Sequence, residues 1–236
     1  MISTIDILSI PIWNVTMEEA RNLAFKCIDE GRAASIATAN AEMVMRAQTD
    51  RELAHILQHA DLVVPDAEQQ GKKFKERVTG VDLACSLLQE AAARQTAVYL
   101  FGGAPGIAEQ AAANVQQQLG SLNIVGTHSG FFSADEEQGI IEDIRSKGTR
   151  ILLVALGVPK QEKWISEHLY ELGPCVCMGV GGTFDVLAGK AGRAPKWMQD
   201  NRLEWLYRLL KEPTRFKRML ALPKFVAAVK LGGRPK

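Results

Sequence analysis

Asp66 closes a short apolar run, Leu62-Val-Val-Pro65. A carboxylate at the end of such a run is well placed to be a general base, taking the proton of a hydroxyl as that hydroxyl attacks an electrophile. The same residue type in the same setting also makes Asx turns. Asp185 ends the segment Gly179-Val-Gly-Gly-Thr-Phe-Asp185. There Gly181 and Gly182 would admit a ligand close to the backbone. The acid reads either as a partner for ribose hydroxyls or as the cap of a following helix. The stretch Gly102-Gly103-Ala-Pro-Gly106 lies between a strand-like and a helix-like run. Its backbone N–H groups could cradle a phosphate, or it is a tight turn. The third correctly spaced glycine of a dinucleotide fingerprint is missing. Asn40, the stretch His128 to Phe131, and Lys160 with Gln161 also stand just after apolar runs. His55 and His59 are four apart on a helical run without a third ligand, which reads as solvated histidines rather than a zinc pair.

No Asp-x-Asp pair occurs anywhere in the chain. A nucleotide diphosphate held through a metal needs clustered carboxylates, so cations must neutralise any such group here. Arginine does this bidentately and at all working pH values. Arg77, Arg208, Arg215 and Arg218 are the candidates. Each preorganised donor aimed at developing charge is worth roughly 3–4 kcal/mol. No metal and no cofactor is expected.

The elements that must position these groups alternate. Strand-like runs at Ile7–Ile12, Ala34–Ala39, Leu62–Pro65, Ala97–Phe101, from Ile124, at Ile151–Leu156 and at Val176–Gly179 are interleaved with helical runs. Those helices are expected at Thr16–Glu30, Asp50–Ala60, Asp82–Arg94, Ile107–Leu119, Asp135–Lys147 and Gln161–Leu172. Thr16 with Glu19 forms a capping box, and Gly31 ends the first helix. Near-continuous apolar strands in a βαβα order specify an α/β fold: a Rossmann-like, mostly parallel sheet with helices on both faces. In such a sheet ligands sit beyond the carboxyl ends of the strands, where the candidate groups converge.

Composition is that of a globular chain: 236 residues, 47% hydrophobic, 23% charged, net charge +1. The charge is unevenly spread, because Arg193 to Lys236 carries 12 Lys and Arg against 3 acids. Together with Ala194-Pro195 this places a boundary between a catalytic domain, 1–192, and a basic helical C-terminal appendage, 193–236. The appendage calls for an anionic partner or is a solvated face. Met219 to Leu231 either lies on anionic lipid or packs on the body. Met1 to Ile12 lacks a charged start and a long apolar run, so no secretory leader is expected. No stretch reaches about 18 apolar residues, so membrane contact would be peripheral. Cys27, Cys85, Cys175 and Cys177 make no Cys-x-x-Cys and read as buried thiols, the last two facing one side of a strand.

The chain resembles the WecG/TagA/CpsF glycosyltransferases, glycosyltransferase family 26, over nearly its whole length. The runs that carry the resemblance are Thr38-Ala-Asn40-Ala-Glu42, Leu62-Val-Val-Pro-Asp66, Glu76-Arg-Val-Thr-Gly-Val-Asp82, Phe101-Gly-Gly103, Gly157-Val-Pro-Lys-Gln-Glu162, Gly179 to Asp185, Arg193-Ala-Pro195 and Leu203-Glu-Trp-Leu-Tyr-Arg208.

The resemblance implies an inverting, metal-independent hexosyltransferase. It would move N-acetylmannosamine or a related sugar from UDP to an undecaprenyl-diphosphate-linked sugar, for teichoic acid, enterobacterial common antigen or exopolysaccharide. It implies that Asp66 is the base, with Thr38 and Asn40 beside it and Gln161 orienting substrate. It further implies that Asp185 binds the ribose; Gly102, Gly103, Lys160 and Gly182, by their places after strand-like runs, join the substrate-binding candidates. Phe131 stands where the family usually has Tyr. Arg77, Arg208, Arg215 and Arg218 would face the diphosphate. The tail would close the site and touch the inner face of the cell membrane from the cytoplasm. A homo-oligomer fits this picture, and a nucleic-acid partner does not. Ala67-Glu-Gln-Gln-Gly71 departs from the glycine-containing pattern usual after the base, which bears on the acceptor pocket and on a share for Glu68 in base chemistry. A family member of altered specificity or without turnover, and a different Rossmann-type nucleotide-binding enzyme, are the alternatives.

Overall fold

The computed structural model describes residues 2–66, 74–201, 204–211 and 221–230, with the side chains of residues 199, 200, 204, 205 and 208 outside the description. Six strands form one parallel sheet: β3 (Ala34–Ala39), β4 (Leu62–Pro65), β5 (Val98–Gly102), β6 (Ile124–His128), β7 (Ile151–Ala155) and β8 (Val176–Gly179), in the order β4-β3-β8-β7-β5-β6. Their apolar runs are continuous because both faces are covered. Leu100, Leu153 and Met178 point into one core and Phe101, Val154 and Cys177 into another, the period of two that a strand imposes.

The first face is covered by α1 (Met17–Asp29), α4 (Gly80–Arg94), α5 (Ile107–Leu119) and α8 (Thr183–Leu187). The second is covered by α2 (Ala41–Ala47), α3 (Arg51–His59), α6 (Ala134–Ser146) and α7 (Lys160–His168). Set against the strand order, this has a simple result. Leaving β4, β3, β8, β7, β5 and β6 in turn, the chain goes alternately to the first and the second face. Neighbouring connections therefore leave to opposite faces at every step, the arrangement that places ligands beyond the carboxyl edge of a sheet.

Local chemistry explains most boundaries. Thr16 accepts from the Glu19 N–H while Glu19 accepts from the Thr16 N–H, the capping box expected for α1. Asp50 caps α3 through the Leu53 N–H. Three expectations are corrected. The run Ile7–Ile12 is an antiparallel hairpin, β1 (Thr4–Ile7) with β2 (Ile10–Trp13), because Leu8 and Ser9 take positive φ and Asp6 Oδ1 accepts from the Ser9 N–H. Helix α2, started by Asn40, was not anticipated. Helix α7 stops at His168, short of Leu172.

Beyond Gly192 the described elements are α9 (Lys196–Asp200), α10 (Glu204–Lys211) and α11 (Ala221–Lys230). Arg193 ion-pairs with Asp82 of α4 at 2.7 Å, and Ala194 and Met198 are buried. Phe225 of α11 is buried in the core formed with Ala37, Ala39 and Met43. Of the two readings of Met219 to Leu231, packing on the body therefore takes Phe225, and it leaves Lys224 and Lys230 exposed. Among the described residues no helix is long and apolar enough to cross a membrane. All four cysteines are free, with the sulfurs of buried Cys175 and Cys177 3.9 Å apart.

Candidate active site

Asp66 follows β4, the edge strand, and its N–H donates to the carbonyl of Ala39 at the end of β3. Its carboxylate is held from the other side. Oδ1 accepts from the N–H of Gly80, the first residue of α4, at 3.0 Å. A helix N-terminus presents unpaired N–H groups and a partial positive charge, so this contact suits an anion. Thr38, largely buried on β3, packs on the same glycine: a Cβ at position 80 would come 3.2 Å from Thr38 Oγ1. Arg77 donates from Nε to the Asp66 carbonyl at 3.1 Å. Asn40 caps α2, its Oδ1 accepting from the Met43 N–H at 2.9 Å. The structure thus gathers Asp66, Thr38, Asn40 and Arg77 at the β4–β3 end of the edge.

Gln161 lies at the centre, under the loops that leave β7 and β8. It is 2% exposed. Its Oε1 accepts from the N–H groups of Gly157 and Gly181, at 3.1 and 3.0 Å, and its Nε2 donates to Glu162 Oε1 at 2.7 Å. The amide oxygen expected to orient substrate is therefore engaged with the two loops. Asp185 is the third residue of α8, which excludes the helix-cap reading; Gly182 holds the cap position. Asp185 is half-buried beside Gly182, with Oδ2 3.8 Å from where a Gly182 Cβ would be.

The Gly102–Gly103 loop is glycine for reasons of chain packing. A Cβ on Gly102 would lie 2.5 Å from the Ala155 backbone, and the Gly103 N–H donates to the Ala155 carbonyl at 2.9 Å. The Gly103 amide is thus not one that reaches a phosphate. Gly130 donates in turn to the Gly103 carbonyl, knitting the ends of β5, β6 and β7 together. At this far end Phe131 is 73% exposed, and Lys160, the first residue of α7, holds its Nζ 4.9 Å from the Phe132 ring. Arg215, Arg218 and the segment Ala67 to Gly71 lie outside the described residues, as does the Arg208 side chain. His55 and His59 contact each other on the surface, and no three His, Cys, Asp or Glu side chains converge on a metal-sized site among the described residues.

Two groups were missed by sequence reasoning. Glu162 is 4% exposed, its Oε2 has no hydrogen-bond partner among the described residues, and burial pushes its carboxyl up to about 7 against the opposing hydrogen bond from Gln161. Its signal was present: Gln161, Glu162, Trp164, Ile165 and His168 recur as one buried helical stripe. The other is Asp82, which accepts from Thr79 Oγ1 at 2.6 Å while it pairs with Arg193. The turn that fixes Asp66 therefore also anchors the start of the C-terminal segment.

The sheet and its polar carboxyl edge define a Rossmann-like α/β protein with its ligand crevice at a row of strand ends. Comparison with known families then gives the particular one. The chain matches the Glycosyl transferase WecG/TagA/CpsF family over residues 5–234 and belongs to it. It is accordingly a glycosyltransferase of cell-wall or surface polysaccharide synthesis, a family that works between a sugar-nucleotide donor and a lipid-linked acceptor.

Proposed function

We propose that the protein is an inverting glycosyltransferase that moves N-acetylmannosamine or a related hexosamine from UDP to an undecaprenyl-diphosphate-linked sugar, without a metal. The observation that carries this reading is Asp66: a half-buried carboxylate at the end of β4, oriented by the Gly80 N–H, in a chain of this family. In the reaction the acceptor hydroxyl oxygen forms a bond to the anomeric carbon from the face opposite UDP. Its proton passes to the Asp66 carboxylate, and the bond from that carbon to the UDP oxygen breaks, leaving its electron pair on UDP. Thr38 and Gly80 keep the base in place. Arg77, next to Asp66, and Arg208, Arg215 and Arg218 from the C-terminal segment balance the departing charge. Asp185, Gly182, Lys160 and Phe131 line the donor side, and Gln161 serves it by shaping the loops. The exposed Lys224 and Lys230 favour docking on anionic lipid at the inner face of the membrane.

The test is a transfer assay with a panel of UDP-sugars, with and without EDTA, and a short-chain lipid-diphosphate acceptor. Asp66→Asn should lose about a hundredfold to ten-thousandfold in kcat while still binding UDP. Undiminished turnover by Asp66→Asn, or no transfer from any UDP-sugar, would refute the reading. Full activity after truncation at Gly192 would remove the C-terminal segment from the mechanism.

A further inference from the structure

The amide of Gln161 is oriented by its surroundings. The backbone N–H groups of Gly157 and Gly181 can only donate, so the amide oxygen must face them and the NH2 must face the other way. On that other side the NH2 needs an acceptor, and Glu162 Oε1 supplies it at 2.7 Å. The pair is wedged against β8: a Cβ on Gly179 would come 2.6 Å from Gln161 Nε2 and 3.0 Å from Glu162 Oε1. The φ of Gly179 is not in the left-handed region, so the space the two side chains occupy is the requirement for glycine there. Loops leaving two adjacent central strands are thereby fastened to one side chain, and that side chain to a second.

We infer that Glu162 is a positioning residue for the transfer reaction: it fixes the Gln161 amide so that its oxygen clamps the loops after β7 and β8, and so sets the floor of the donor crevice between Gly157 and Asp185. Glu162 acts through Gln161 and needs no contact with substrate. Its oxygen Oε2, buried and without a partner among the described residues, fits a neutral acid whose work is done by Oε1. The activity readout of this inference rests on the proposed reaction; its structural readout does not.

The experiment uses the full chain with Glu162→Gln, Glu162→Met, Gly179→Ala, Gln161→Ala and the double variant Gln161→Ala with Glu162→Met. Two quantities are read: amide hydrogen exchange at Gly157 and Gly181, and kcat and KM for the active UDP-sugar. Glu162→Gln keeps a carbonyl acceptor and should keep both amides protected and most of the transfer rate. Glu162→Met and Gly179→Ala should speed exchange at both amides and lower kcat/KM roughly tenfold to a hundredfold, the scale of a misplaced site. Glu162→Met should add little on the Gln161→Ala background, because both act through one contact. Normal exchange and normal kcat/KM in folded Glu162→Met would overturn the inference, as would full additivity in the double variant. Should Glu162→Met fail to fold, Gly179→Ala and Glu162→Gln still decide it. Should the wild type transfer nothing, the proposed reaction fails, and exchange alone decides this inference.

Discussion

Replacing Glu162 by Gln should change how stability depends on pH more than it changes stability itself. The native carboxyl holds its proton up to about 7, whereas an unfolded chain releases it near 4.5. Between those values the native state binds more protons than the unfolded one, so stability falls as pH rises. The contribution is fully present below 4.5 and gone above about 7. At about 1.4 kcal/mol per unit, roughly 2–3 kcal/mol should disappear between about pH 5 and about pH 8. The shift comes from burial, with no charged neighbour among its causes. Elements packed on α7 do carry titratable groups: Asp50 at the cap of α3, with Arg51, Glu52, His55 and His59 on that helix, Glu137 on α6 and Cys177 on β8, while α7 itself has Lys160, Lys163, Glu167 and His168. Asp50 and Glu52 are held by Lys163. All of these remain in Glu162→Gln and cancel in the comparison. Urea denaturation of both proteins at the two pH values measures the difference. Wild type should lose about 2–3 kcal/mol more than the variant, or roughly 5–10 °C in Tm for a domain of this size. Parallel pH curves would show that Glu162 is ionised in the folded protein, and the argument for a neutral buried acid would fall.

Phe225→Ala should cost about 3–4 kcal/mol in denaturant unfolding, because its ring is buried with Ala37, Ala39 and Met43; unchanged stability would mean that α11 does not stay on the body in solution. Gly102→Ala should cost several kcal/mol and lower Tm sharply, since the added Cβ meets the Ala155 backbone at 2.5 Å and φ is +127°. Thr16→Ala removes one half of the α1 capping box and should cost about 1 kcal/mol, read in the same denaturation assay.

The parallel sheet was legible because its signal is redundant: seven apolar runs with helical runs between them leave few topologies. The hairpin at Thr4–Trp13 was not, because its turn uses Leu8 and Ser9 at positive φ rather than the glycine or asparagine that marks such turns. Asp66 could be placed at a strand end from sequence, but its orientation comes from the Gly80 N–H, fourteen positions along, a contact that spacing does not reveal. Gln161 differs. Sequence placed it just after a strand-like run, but its hydrogen bonds to the Gly157 and Gly181 N–H groups were not legible, since a polar side chain there can face a ligand, the loops that frame it, or both. Gly102 and Gly103 make the same point: close approach was the physical reason anticipated, and the approaching groups in the structure are the Ala155 backbone at Gly102 and the Ile107 side chain at Gly103.

The row of strand ends also gives the reaction a direction. Five steps of roughly 4.8 Å make the carboxyl edge of the sheet about 24 Å long, and Asp66 stands at one end of it, with β3, β8, β7, β5 and β6 all to the same side. In the proposed transfer, a nucleotide stretching away from the reacting carbon would run along that edge toward β6, which leaves the end beside Asp66 for the lipid-linked substrate. The two substrates would then meet only at the base, each with its own approach.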